Sequence, residues 1–182
     1  MPFLPGFPET ANVRTIFDFN PAFFAPWVGM TQHLMRGPSD LSVPQRELIA
    51  AWASKVGECP YCHGGHAAAA TILGYPETIF DQLTDDIETA EVEPEMRPIL
   101  HYIRKIAAEP WKIVQKDADA VYAAGWGEKA LHDAICVACT FAFMNRLTLA
   151  HGIAANPDVF EARGRKHVEE GYDGQYQALG QG

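Results

Sequence analysis

Residues 42–74 read SVPQRELIAAWASKVGECPYCHGGHAAAATILG, and this stretch decides the fold class. Ser42 with Gln45 three residues on is a capping box, in which side chains and backbone at a helix start satisfy one another's donors. Leu48, Ile49, Trp52 and Val56 then recur at helical spacing, and Gly57 supplies the stop. Cys59 stands at the next N-cap position and Pro60 at the first helical residue, where a fixed φ and a missing N–H cost nothing. An Ala-rich run carries this second helix to Gly74. With only Gly57 and Glu58 between them, the two helices are expected to fold back as a tight antiparallel hairpin.

The same punctuation continues in both directions. Asn20-Pro21 starts a helix to about Met35, with a kink at Pro26 and a stop at Gly37-Pro38. Upstream, residues 1–19 read as an irregular N-terminal arm with at most a turn around Val13 to Phe17. Downstream, Pro76 opens a short helix to about Leu83, and Thr84 to Glu93 is a polar surface loop. Pro94 opens a helix reaching Ala108, and a short helix lies near Asp117 to Ala123. Glu128 to His151 is the longest and most apolar helix, closed by Gly152. A last helix begins at Asn156-Pro157, and residues 171–182 read as a loose tail. No segment alternates convincingly with period 2, so the expectation is an all-α helical bundle: one domain over 1–182 with its helical core at about 22–152.

Composition narrows the function classes. Net charge is −9 with no basic cluster, so nucleic acid is not an expected partner. The N-terminus has three prolines and no basic n-region, so it does not read as a secretory signal. The apolar run from Ala134 to Met144 is too short to cross a bilayer, so a membrane is not expected either. Four cysteines in such a chain point to a cytoplasmic protein whose close-set thiols are catalytic or metal-binding rather than a disulfide scaffold.

The chemistry concentrates at the hairpin. On a helix at roughly 100° per residue, Cys59, Cys62 and His66 fall within about 60° of arc and share a face. Cys59 sits where unpaired N–H groups and the helix dipole favour a thiolate. Glu47 lies about 15 Å up the first helix from the turn and His66 about 10 Å up the second. The expected order down the seam is therefore Glu47, His66, Cys62: a carboxylate orienting an imidazole that takes the thiol proton. Gly64 and Gly65, opposite Ala51 and Ser54, are read as allowing close approach of the two helices.

This pattern, Glu47, eleven residues, then Cys59-x-x-Cys62-x-x-x-His66, resembles the core motif of the AhpD-like alkylhydroperoxidases in the carboxymuconolactone decarboxylase superfamily. The wording Arg46-Glu47-Leu48-Ile49 and Cys59-Pro60-Tyr61-Cys62, with Asn145-Arg146, is most similar to its peroxidase-related branch. The resemblance runs from about Ala22 to Gly152. It implies a homo-oligomer, trimer or hexamer, and thiol-dependent reduction of hydroperoxides or disulfides, with Cys62 attacking and Cys59 resolving. The reductant would be a dithiol such as a lipoyl protein or thioredoxin, and no cofactor beyond the cysteine pair is expected. Family peroxidases carry a second His just before the second Cys, where this chain has Tyr61. Tyr61 and His63 are therefore possible accessory residues.

Two other readings stay open from the residues. Cys59, Cys62, His66 and Glu47 could ligate a metal such as zinc, or the pair could be a redox sensor in an oligomer that turns nothing over. Cys59-Pro60-Tyr61-Cys62-His63 also spells the haem c signature, which requires export, so no haem is expected. The second pair, Cys136 and Cys139, has Phe143 and Ala124 where the motif would place His and Glu, and is read as buried core thiols. Asn145 and Arg146 are read as a buried polar knot at a helix end or subunit contact.

Overall fold

A computed structural model describes residues 1–176. Its elements are α1 (Val13–Phe19), α2 (Pro21–Arg36), α3 (Val43–Val56), α4 (Pro60–Ile72), α5 (Ile79–Asp85), α6 (Met96–Ala108), α7 (Gln115–Ala123), α8 (Glu128–Ala150), α9 (Phe160–Glu169) and α10 (Gly171–Gln175). No strand occurs among the described residues. The capping box at Ser42 is present in both directions, and Asn12 makes a second one with Thr15. That second box is why α1 forms: residues 13–19 are helical and bury Val13, Ile16 and Phe17, so the irregular arm is confined to 1–12. Pro76 and Pro94 each precede their helix by a turn instead of opening it.

The α3–α4 hairpin lies at the centre. α4 packs on α3 along one side and on α9 along the other, while α8 and α6 close over α3. α3 is buried almost all round, from Arg46 to Ser54, which fits a helix enclosed by partners. α8 is continuous through Asn145 and Arg146, so the apolar element is longer than the run read from sequence. It is long and apolar enough, by length and composition, to cross a bilayer. Here it is packed as a core helix, burying Ala130, Leu131, Ala134, Val137, Ala138, Phe141 and Met144.

The turn between α3 and α4 is a Schellman motif. Cys59 N–H donates to Ser54 C=O at 3.0 Å and Glu58 N–H to Lys55 C=O at 3.1 Å. The left-handed residue is Glu58, φ +52°, and not Gly57. Gly57 matters for a different reason: a Cβ there would lie 2.8 Å from Asn145 Nδ2 and 3.0 Å from Ala53 C=O, so the buried Asn145 side chain would have to shift. Asn145, 3% exposed, reaches toward Ala53 C=O at 3.5 Å and so holds the end of α3, while Arg146 turns outward.

Gly64 and Gly65 serve α9, not α3. A Cβ on Gly64 would run into the Phe160 ring, and one on Gly65 would lie 3.1 Å from the Arg163 guanidinium. Gly164 reciprocates, with Ala68 2.6 Å from where its Cβ would stand. The missing side chains therefore let a C-terminal helix lie directly over the motif.

The expected loose tail is ordered where it is described. α10 buries Tyr172 against the hairpin, and residues 177–182 lie outside the described part.

Candidate active site

Because Cys59 closes α3 and opens α4, its sulfur is fixed by two helices at once, and it is 1% exposed. Cys62, one turn on, is 4% exposed, and the two thiols interact electrostatically. α8 contributes a third group: Thr148 Oγ1 lies 3.2 Å from Cys59 Sγ and 3.7 Å from Cys62 Sγ. Its single hydroxyl proton can serve the Met144 carbonyl, 3.0 Å away, or turn to a sulfur.

On the same face of α4, His66 Nδ1 donates to Glu47 Oε2 at 2.7 Å, so the seam brings carboxylate and imidazole together as expected. Glu47 is fully buried, and its other oxygen accepts from Arg36 Nη2 at 2.6 Å and from the Tyr172 hydroxyl at 3.2 Å. Arg36 also donates to His167 C=O at 2.6 Å, tying α2 to α9 through the carboxylate. The His167 ring stacks on His66 with centroids 4.7 Å apart and planes 10° from parallel.

With Nδ1 committed to Glu47, Nε2 is the His66 nitrogen left for proton traffic. His66 and Cys62 line a common cavity of about 30 Å³, room for a water-sized group, with Tyr61, Phe141, Arg163 and Tyr176 among its walls. Cys59 does not line it. No hydrogen bond among the described residues joins Cys62 to His66, so any proton exchange between them crosses this cavity.

The carboxymuconolactone decarboxylase family model matches residues 21–85, the span that carries Glu47, Cys59, Cys62 and His66. The fold is similar to the crystal structure of an uncharacterized peroxidase-related protein from Silicibacter sp. TM1040. The TM-score is 0.74 at 26% identity over 82% of this chain and 78% of that one. It is also similar to one described as alkylhydroperoxidase AhpD core, an uncharacterized peroxidase-related protein from Ralstonia eutropha JMP134. There the TM-score is 0.73 at 23% identity over 83% and 79% of the two chains. No curated protein matches the sequence. The likeness to the carboxymuconolactone decarboxylase family is thus carried by the segment that holds the motif, and the likeness to the peroxidase-related structures extends to the fold.

In this chain the two thiols are electrostatically unlike. The hydrogen bond from Cys62, opposed by burial and helped by Thr148 and the N–H groups of Cys62 and Tyr61, brings the Cys59 thiol down to about 6. Donating that bond, together with burial and the Cys59 charge, pushes Cys62 well up. The negative charge of the reduced pair thus rests on Cys59, whereas the expected relay placed the thiolate on Cys62. Burial works against the Glu47 charge, yet the hydrogen bond and charge of His66, with Arg36, outweigh it and hold the carboxyl at about 2. Burial, then the His66 charge, keeps His167 well below the ordinary imidazole range.

The two accessory candidates separate. Tyr61 belongs to the site: its hydroxyl accepts from Val13 N–H at 3.1 Å, and the Arg163 guanidinium stacks 4.0 Å over its ring. His63 does not. It faces the other side of α4, donating from Nδ1 to Ala51 C=O at 3.1 Å and meeting Phe80 edge-on.

Cys136 and Cys139 are not core thiols either. They flank the buried Val137 and Ala138 on the outer side of α8, Cys136 half-buried and Cys139 exposed, with His132 Nε2 3.5 Å from Cys136 Sγ. The apolar sequence there is wider than the buried seam, so its edge faces outward.

Proposed function

We propose that the chain is a thiol-dependent peroxidase of the AhpD-like type that reduces hydroperoxides, at the expense of a dithiol donor, through the pair Cys59 and Cys62. The observation that carries this reading is the shared cavity: Cys62 and the Glu47-oriented His66 face one water-sized space, with Cys59 interacting behind Cys62.

The chemistry balances on these groups. As Cys62 attacks the terminal oxygen, the O–O bond breaks and the Cys62 proton passes to the Cys59 thiolate. The departing alkoxide takes a proton from His66 in its protonated form, leaving Cys62 sulfenic acid and an alcohol. Cys59 then displaces hydroxide from that sulfur, which leaves as water with the Cys59 proton, and the disulfide forms. A dithiol donor, such as a lipoyl protein or thioredoxin, returns the pair to the reduced state by two exchanges. Cys59 thus acts first as the base for Cys62 and then as the resolving thiol. Disulfide-bonded substrates would use the same sulfurs without the alkoxide step.

The working unit is taken as a homo-oligomer, trimer or hexamer, in the cytoplasm. Phe143 and Leu149, both exposed on the outer side of α8, supply apolar surface for that contact. A steady-state screen of hydroperoxides against dihydrolipoamide, thioredoxin and glutathione tests the reading. Turnover that is lost in Cys62→Ser supports it. A protein that binds one zinc per chain through these thiols, and turns over no peroxide, would instead be a metal-binding domain.

A further inference from the structure

The cavity at Cys62 is too small for anything beyond the reacting head of a substrate, so the rest of a substrate must lie outside it. A second, larger cavity of about 630 Å³ lies outside it, between α1, α9 and the loop before α9. The two share the walls Val13, Tyr61, Arg163 and Tyr176, so these four residues stand between an inner chamber and an outer vestibule, at the neck a substrate would have to pass. A volume of several hundred Å³ suits an organic ligand of drug size.

The vestibule has apolar wall from Ala11, Val13, Val159 and Tyr176 and, beside Arg14, which pairs with Asp18, cations from Arg163 and Lys166. Neither cation pairs with a carboxylate among the described residues. Arg163 is half-buried at the neck, fixed by a bond from Nη1 to Tyr61 C=O at 2.9 Å and by stacking on Tyr61. That bond uses one of its five N–H donors. Glu9 and Glu170 also line the vestibule, but they are exposed, as Lys166 is, so solvent screens all three more than it screens the half-buried Arg163 guanidinium, which leads in fixing the local charge. Arg163 thus presents a fixed positive charge on the wall shared by the vestibule and the chamber that Cys62 lines.

Resting on the peroxidase reading above, we infer that the vestibule binds the body of a carboxylate-bearing organic hydroperoxide, its anion held by Arg163 and Lys166 while the hydroperoxyl group passes the neck to Cys62. The inner chamber then selects the head, and the vestibule selects the tail.

The test uses two substrates that differ by one carboxylate, cumene hydroperoxide and its para-carboxylate, in steady state with the same dithiol donor. The carboxylate form is expected to have the higher kcat/KM by on the order of tenfold. In Lys166→Gln and in Arg163→Gln the ratio of the two kcat/KM values should fall toward one. A ratio near one in the unmodified protein, with both compounds reduced, overturns the inference and leaves the peroxidase reading standing. Loss of all turnover would sink the peroxidase reading instead. Binding is read separately by protection of the Cys59–Cys62 pair from iodoacetamide. 4-Isopropylbenzoate should protect, isopropylbenzene should protect less, and Lys166→Gln should narrow the gap. Equal protection by both compounds overturns the anion site whatever the kinetics.

Discussion

At the scale of single residues the site divides into groups the sequence displays and groups it hides. Glu47, Cys59, Cys62 and His66 are legible because one hairpin carries them at fixed helical spacing. Arg36, Thr148, His167 and Tyr172 come from four other helices and share no spacing with the motif or one another. Thr148 alone left a trace, as a polar residue three positions after Asn145 in an apolar helix. Its role yields a direct expectation. Iodoacetamide alkylation of the reduced pair, followed against pH, should show one fast thiolate with a midpoint near the value of about 6 held by Cys59. Thr148→Val removes a hydrogen bond to that charge, so the midpoint should rise by about one unit, the size of one charge-assisted bond. An unchanged midpoint would show that Thr148 turns permanently to the Met144 carbonyl. The preference for Cys59 over Cys62 as the site of charge has a physical origin as well. Spacing shows that an imidazole lies one turn from Cys62, but not that Nδ1 is committed to Glu47 while Cys62 interacts with Cys59 instead.

At the scale of elements, caps, prolines and glycines located the long helices and the short α5 and α7, while α1 and α10 escaped. α1 has seven residues and α10 five, too few for periodicity to register, and each is held by tertiary burial of Ile16, Phe17 or Tyr172. The glycines of the motif were recognised as a packing device but assigned to the wrong neighbour, because a sequence shows that a face is small without showing what fills it. The α4–α9 contact can be tested through Gly164, whose replacement by Ala would press a methyl against the Ala68 backbone. Gly164→Ala is expected to lower the urea unfolding free energy by about 1–3 kcal/mol. It should also cost activity beyond that loss, since α9 carries Arg163 and His167 over the site. Unaltered stability would mean that α9 shifts freely and that its close approach is incidental.

At the scale of the whole molecule, two properties follow from the buried charge network and the outer face of α8. Glu47 is held at about 2 against an ordinary value near 4.5. A carboxyl depressed in the folded state adds stability that is present above the unfolded value and lost as pH falls through the folded one. Stability should therefore decline between about pH 4.5 and 2, and Glu47→Gln should flatten that decline in acid unfolding followed by circular dichroism. The exposed α8 residues Cys139, Phe143 and Leu149 are expected to lie in a contact between copies. Sedimentation at micromolar concentration should accordingly report a trimer or hexamer, and a monomer would remove that contact. The central claim, that Cys62 takes the peroxide oxygen and Cys59 resolves it, is tested most directly in a single turnover. One equivalent of hydroperoxide is added to the reduced protein, and thiols are mapped by mass spectrometry after rapid alkylation. A Cys59–Cys62 disulfide and one equivalent of alcohol are expected, with Cys59→Ser arrested at a sulfenic acid on Cys62. Peroxide left unconsumed, or oxidation confined to Cys136 and Cys139, would contradict the claim.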